Sequence, residues 1–138
     1  MISTKGRYAL RIVVDFAEQE TGSYVPLRDV ASRQGISEKY LQHIAKLLVS
    51  AGLIVGKGGK GGGYRLAKDP AEITALEVLE AAEDSLAPVA CLANGAELCQ
   101  RTKSCKTLSL WQGYNELTRE YFGSVTMADL VHGEAPSR

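Results

Sequence analysis

Apolar residues recur in pairs one helical turn apart at the start of the chain: Tyr8 and Ala9, Ile12 and Val13, Phe16 and Ala17. That spacing places one greasy stripe along a helix. The helix begins near Ser3 or Thr4 and is ended by Thr21-Gly22-Ser23. Tyr24-Val25 reads as a short strand. Pro26 suits the first turn of a second helix running to residue 34, with Val30 and Ala31 inward. Gly35-Ile36-Ser37 is a tight turn whose serine can cap a third helix. There Leu41, Ile44, Ala45 and Leu48 follow the i, i+3, i+4, i+7 rule, and Gly52 supplies a left-handed stop.

The period then changes. Leu53-Ile54-Val55 and Tyr64-Arg65-Leu66 read as strands, joined by the glycine- and lysine-rich stretch 56–63 as a hairpin tip, and Asp69-Pro70 closes the unit. Thr74-Ala75-Leu76-Glu77 has the pattern of a capping box opening a helix to about residue 83. Residues 85–105 show no period. A longer helix is predicted over 107–122, with Leu110, Tyr114, Leu117 and Tyr121 at the a/d-like spacing of a seam that pairs with a second helix. A short helix near residues 127–131 precedes a polar tail.

Helix, glycine-containing turn, helix and basic hairpin is the order of a winged helix-turn-helix. The expected fold is therefore mainly α with a small β-hairpin wing. Residues 1–70 form the DNA-binding domain, and residues 71–138 form a cysteine loop and a long C-terminal dimerisation helix. A helix that enters the major groove must bury one stripe and offer the other side to bases. On the third helix Lys39, Gln42, His43 and Lys46 lie opposite the buried stripe, and Ser37 and Tyr40 sit at its N-terminal end, which favours phosphate. Gln42 can read adenine in a bidentate fashion, and Lys57 and Lys60 on the wing can meet phosphates or enter a minor groove.

A net charge of zero hides an asymmetry. Residues 1–68 hold eleven Lys/Arg against five Asp/Glu, and the remainder holds five against eleven, so the two parts carry +6 and −6. A polyanion-binding half joined to a half with another task accounts for this. Gly56-x-Gly58-x-x-Gly61 matches the dinucleotide fingerprint in letters alone, because that motif needs a helix after the glycines and here a strand follows. There is no Ser/His/Asp set and no carboxylate pair in a predicted pocket, so an enzyme is not expected. Nothing resembles a signal peptide or an apolar span, which points to a cytoplasmic protein without membrane contact.

Cys91, Cys99 and Cys105 fall within fifteen residues. An odd cysteine count without a secretory signal argues against a disulfide framework. The spacing lacks a C-x-x-C pair, so a zinc ribbon is poorly supported. The residues alone leave two readings: a metal or cluster site, or loop thiols made reactive by Lys103 and Lys106.

Several stretches together resemble the IscR/NsrR/CymR-type bacterial winged-helix regulators. They are residues 3–11, Val25-Pro26-Leu27, Gly35-Ile36-Ser37 with Tyr40-Leu41, residues 61–68, the three cysteines, and Leu110-Trp111. The resemblance implies a homodimer formed through the long C-terminal helix and a pseudo-palindromic double-stranded DNA operator. It also implies an iron–sulphur cluster, 2Fe–2S ahead of 4Fe–4S, held by Cys91, Cys99 and Cys105. It places Ser37, Tyr40, Gln42 and His43 in DNA reading, and its N-terminal match includes Lys5, a further expected DNA contact. Three departures stand out, the first being Gln42 on the recognition helix where the assembly regulators often carry Glu, so their operator sequence does not transfer. The position of a cluster-binding histidine in the iron–sulphur assembly regulators is Leu108, and that of an aspartate in the nitric-oxide sensors is Arg7. Candidates for a fourth ligand are His132, Glu97, an N-terminal residue of a partner chain, or a small exogenous ligand. The alternative is a cluster-free dimer governed by a partner protein or by direct thiol oxidation.

Overall fold

The structure is a computed structural model, and it describes residues 2–19, 22–93 and 104–137. Helix α1 (Thr4–Glu18) starts where Ser3 caps it: the serine side chain accepts from the Gly6 N–H. It ends before the expected Thr21-Gly22-Ser23 stop. Gln19 has already left helical geometry, and its side-chain amide donates to the Asp15 carbonyl at 3.0 Å, satisfying one of the orphan acceptors of the last turn. Helix α2 (Leu27–Gln34) has Pro26 as its N-cap rather than its first residue, and Gly35 in left-handed geometry ends it (φ +65°). Helix α3 (Glu38–Ser50) is capped by Ser37, whose hydroxyl accepts from the Tyr40 N–H at 3.1 Å.

The hairpin follows as expected. Strand β1 (Ile54–Lys57) pairs antiparallel with β2 (Gly63–Leu66), with Ile54 opposite Leu66 and Lys57 opposite Gly63. The short strand expected at Tyr24-Val25 is a single bridge, in which Val25 and Tyr64 exchange backbone hydrogen bonds of 2.8 and 2.9 Å. This third strand-like segment pins the wing to the chain entering α2. Gly63 makes it possible: its φ is +146°, and a Cβ there would lie 2.3 Å from the Val25 carbonyl oxygen.

Helix α4 (Ala75–Ala82) is capped by Thr74, which accepts from the Glu77 N–H. The expected capping box is closed only in part: the Glu77 carboxylate accepts from the Thr74 hydroxyl at 3.4 Å rather than from its backbone N–H, and its other oxygen meets Lys68 at 3.1 Å. The complete box is instead at helix α6 (Met127–Val131), between Thr126 and Asp129. Helix α5 (Leu108–Ser124) leads into α6. The Ala75 N–H donates to Val125 O and the Met127 N–H to Ile73 O, at 2.8 and 2.9 Å, so the entry to α4 is stitched to the α5–α6 junction.

One buried cluster runs through the molecule, from Ala9, Ile12 and Val13 of α1 through Leu41, Ile44 and Leu48 of α3 to Ile73, Val78 and Met127. Helices α4 and α6 both pack on α1. The stripe read from α3 is its buried face, with Leu41, Ile44, Ala45 and Leu48 all at 0 % exposure. Among the described residues one charged side chain is buried, Asp15 of α1. It accepts from Arg33 Nη2 at 2.7 Å, from Arg33 Nε, and from Gln34 Nε2 at 2.8 Å, which fixes the C-terminal turn of α2 against α1. The same hydrogen bond holds the Arg33 guanidinium above its ordinary pKa, with the Asp15 charge adding to it.

Candidate nucleic-acid interface and cysteine loop

With Leu41, Ile44, Ala45 and Leu48 inward, Glu38, Lys39, Gln42, His43 and Lys46 are all exposed on the far side of α3. They divide into two rows. Glu38, Gln42 and Lys46, at i, i+4 and i+8, line one wall of a cleft of about 690 Å³. Lys39 and His43 lie on the neighbouring row, outside its lining. The facing wall is the wing, through Gly56, Lys57, Gly58 and Gly59, and the floor includes Pro26, Leu27 and Arg28. Arg28, Lys46 and Lys57 thus converge from α2, α3 and the wing around one concave surface.

The hairpin is shaped by its glycines. Gly59 and Gly61 are left-handed, and the Gly62 N–H closes the tip on Gly59 O at 3.0 Å. Lys60 stands exposed at that tip. Lys57 is steered by an aromatic ring: its ammonium lies 5.5 Å from the Tyr24 centroid, and the Arg65 guanidinium lies 4.9 Å from the same ring. Lys5, half-buried on the first turn of α1, is one turn before Tyr8. The Tyr8 ring meets Tyr40 edge-on at 5.7 Å, with Arg11 5.3 Å from its centroid. The start of α1 is therefore docked on the start of α3, where Ser37 and Tyr40 sit.

Arg28 and Glu38 complete the cleft, and neither was among the residues singled out for DNA contact in the sequence. Arg28 carried a signal, two residues past the proline that opens the first helix of the pair, a helix that crosses the DNA backbone in this motif. Glu38 carried none, because its sign is opposite to that of a phosphate contact.

The cysteine loop leaves from Glu83, which ends α4. The Glu83 carboxylate accepts from both the backbone N–H and the hydroxyl of Ser3, each at 2.7 Å. A Cβ on Gly6 would strike that carboxylate. The loop is thus anchored to the head of α1 before it reaches Cys91, which is exposed on the one-turn 3-10 helix Ala90–Leu92. Cys105 is half-buried at the approach to α5, its Sγ 3.4 Å from Thr107 Oγ1. Cys91 is a free thiol. Cys99 and Glu97 lie outside the described residues. Among the described residues no three His, Cys, Asp or Glu side chains come together as a metal site. Leu108 is the first residue of α5, His132 is exposed just past α6, and Arg7 donates to Thr4 Oγ1 at 3.1 Å.

Helix α5 has no buried residue along its 17 positions. Leu110, Tyr114 and Leu117 are 62 %, 53 % and 54 % exposed, a row of large apolar groups facing outward. Tyr121 ends the row differently: it is half-buried against the core and Phe122. An ion pair between Arg119 and Glu80, at 3.0 Å, ties the exposed helix back to α4. No helix among the described residues is long and apolar enough to cross a membrane.

Residues 2–133 match the family model of Rrf2, described as an iron-dependent transcriptional regulator. The transcriptional regulator IscR of Serratia proteamaculans is 36 % identical over 133 residues, covering 96 % of this chain and 80 % of that protein. Two solved structures are also similar. CymR, the global cysteine regulator of B. subtilis, superposes with a TM-score of 0.79 at 31 % identity, over 96 % of both chains. IscR of T. potens superposes at 0.73 and 30 % identity, over 96 % of this chain and 86 % of its own.

Proposed function

The chain belongs to the Rrf2 family and is a transcriptional regulator, not an enzyme; on that premise we propose that it reads a pseudo-palindromic operator as a homodimer, under the control of an iron–sulphur cluster. The observation that carries the DNA reading is the cleft between α3 and the wing. One wall is the polar row of a helix whose other side is fully buried, and cations reach it from three elements. A duplex needs that combination: base-reading groups on a rigid helix, flanked by charges that replace phosphate counterions. Gln42 and His43 read bases. Arg28, Lys39, Lys46, Lys57 and Lys60 meet the backbone, with Lys5, Ser37 and Tyr40 at the shared head of α1 and α3.

The dimer surface is the open seam of α5, centred on Leu110, Tyr114 and Leu117. Two copies related by a two-fold axis cover each other's row, and each recognition helix then faces one half-site.

The donor chemistry at the loop fits a cluster. Cys91 and Cys105 bracket the loop, with Cys99 between them in sequence, and thiolates are the ligands such clusters take. A bound cluster supplies a site whose loss or oxidation changes the state of the loop. This chain's own residues would carry that change by two routes. One is the Glu83–Ser3 contact, which ends at the head of α1 beside Lys5. The other is Thr107, where the loop runs into the dimer helix. A ligand can shift DNA affinity only by favouring one of two arrangements of these parts.

The test is selection from randomised duplex DNA with protein purified without oxygen, alongside its visible spectrum. Enrichment of a two-fold-symmetric sequence, with charge-transfer bands and matching iron and sulphide, is the expected result. No enriched sequence would overturn the DNA reading. Iron-free protein that still selects an operator, and a triple Cys→Ser variant with unchanged affinity, would move control to the thiols or to a partner protein.

A further inference from the structure

We propose that Glu38 is a specificity-determining residue, its carboxylate accepting a hydrogen bond from the exocyclic amine of a cytosine in the major groove. The inference rests on the DNA-binding reading above and names a contact within it. Its starting point is the row formed by Glu38, Gln42 and Lys46. Side chains at i, i+4 and i+8 stand one above another on a helix. A duplex that brings Gln42 to a base edge therefore brings Glu38 to a neighbouring one, nearer the N-terminal end of α3. The N-terminal residues of a recognition helix are those that meet base edges in this motif.

Glu38 complements the positive end of α3 from its first turn, but no side-chain hydrogen bond uses its carboxylate. The capping position is filled by Ser37, which already satisfies the Tyr40 N–H. Among the described residues Glu38 takes part in no ion pair or side-chain hydrogen bond, although Arg28, Lys46 and Lys57 share its cleft. It is exposed and free to meet a ligand.

Its charge decides which ligand. A carboxylate in a cleft built for a polyanion is repelled by every phosphate, so it weakens binding to DNA in general. For a helix in the major groove, the duplex groups that reward it are the donors on that side. Of these, cytosine N4 is the one that pairs with an acceptor-only side chain, whereas adenine offers its amine beside an acceptor nitrogen. One acid among cations thus acts by discrimination: it penalises wrong registers and wrong bases more than the right one.

The experiment compares wild type, Glu38→Ala, Glu38→Gln and Gln42→Ala by selection from randomised duplexes, then by titration of single-base variants of the enriched site. Wild type is expected to demand cytosine at one position of each half-site. Glu38→Ala should lose about tenfold of that discrimination while keeping the other positions, and should bind random DNA more tightly. Glu38→Gln should move the choice at that position toward adenine, which a Gln amide contacts through both of its edge groups. Gln42→Ala should relax a different, neighbouring position. If Glu38→Ala and Glu38→Gln select the same sequence as wild type, with affinities shifted equally for all DNA, the carboxylate acts only through bulk charge and the proposal fails. If wild type itself enriches nothing, the DNA reading fails first.

Discussion

Removing Arg33 tests the buried charge that sets the angle between α1 and α2. Asp15 is 3 % exposed and Arg33 is 41 % exposed, so the two partners are not equivalent. In Arg33→Ala the carboxylate stays buried with only the Gln34 and Gln19 amides to solvate it. Breaking a buried pair costs about 3–5 kcal/mol. The exposed guanidinium screens part of the attraction, and water can enter the space it leaves, so about 2–3 kcal/mol is expected. A second substitution, Asp15→Asn, removes the stranded charge while its carbonyl still accepts from Gln34. The double variant should therefore be more stable than Arg33→Ala alone by about 1 kcal/mol. Urea denaturation at fixed protein concentration reads both, and a loss of 2 kcal/mol moves the midpoint by about 1 M. Arg33 adds no pH dependence short of strong alkali. Its pKa is raised, so its contribution is complete below the unfolded value and is lost only far into alkali. An Arg33→Ala variant as stable as wild type, or a double variant less stable than the single, would refute the reasoning.

Two further outcomes follow from the geometry. Gly63→Ala should unpin the wing, since a Cβ there meets the Val25 carbonyl at 2.3 Å. DNA affinity is expected to fall at least tenfold while helical circular dichroism is kept, and unchanged affinity would show that the Val25–Tyr64 bridge does not position the hairpin. Tyr114→Asp should convert the dimer to monomer in sedimentation, because it buries an unpartnered charge in the α5 seam; a persisting dimer would place the interface elsewhere.

The helix pair and the hairpin that form the cleft were legible in the sequence because each of their parts is local. The stripe on α3, the Ser37 cap, the Gly35 and Gly52 stops and the glycine-rich tip are short-range patterns with one physical solution. The contacts that orient these parts are not local. Asp15 sits between Val14 and Phe16, and its partners come 18 and 19 residues later. Ser3 and Glu83 meet across 80 residues. Neither pairing leaves a periodic trace. The capping signal held only in part: Thr74 and Glu77 have the right letters, but the carboxylate is shared between the Thr74 hydroxyl and Lys68. The true box at Thr126 and Asp129 uses an aspartate where the pattern favours glutamate or glutamine.

If the proposed dimer forms through the exposed row on α5, the protein's own abundance becomes part of its regulation. On that proposal a chain with Leu110, Tyr114 and Leu117 open to water is completed by a second copy, and occupancy of a two-fold site would depend on a prior association step. When that association is weak, occupancy rises as the square of chain concentration. A modest change in synthesis then acts like a switch, and any signal that loosens the seam resets its threshold without touching a base contact.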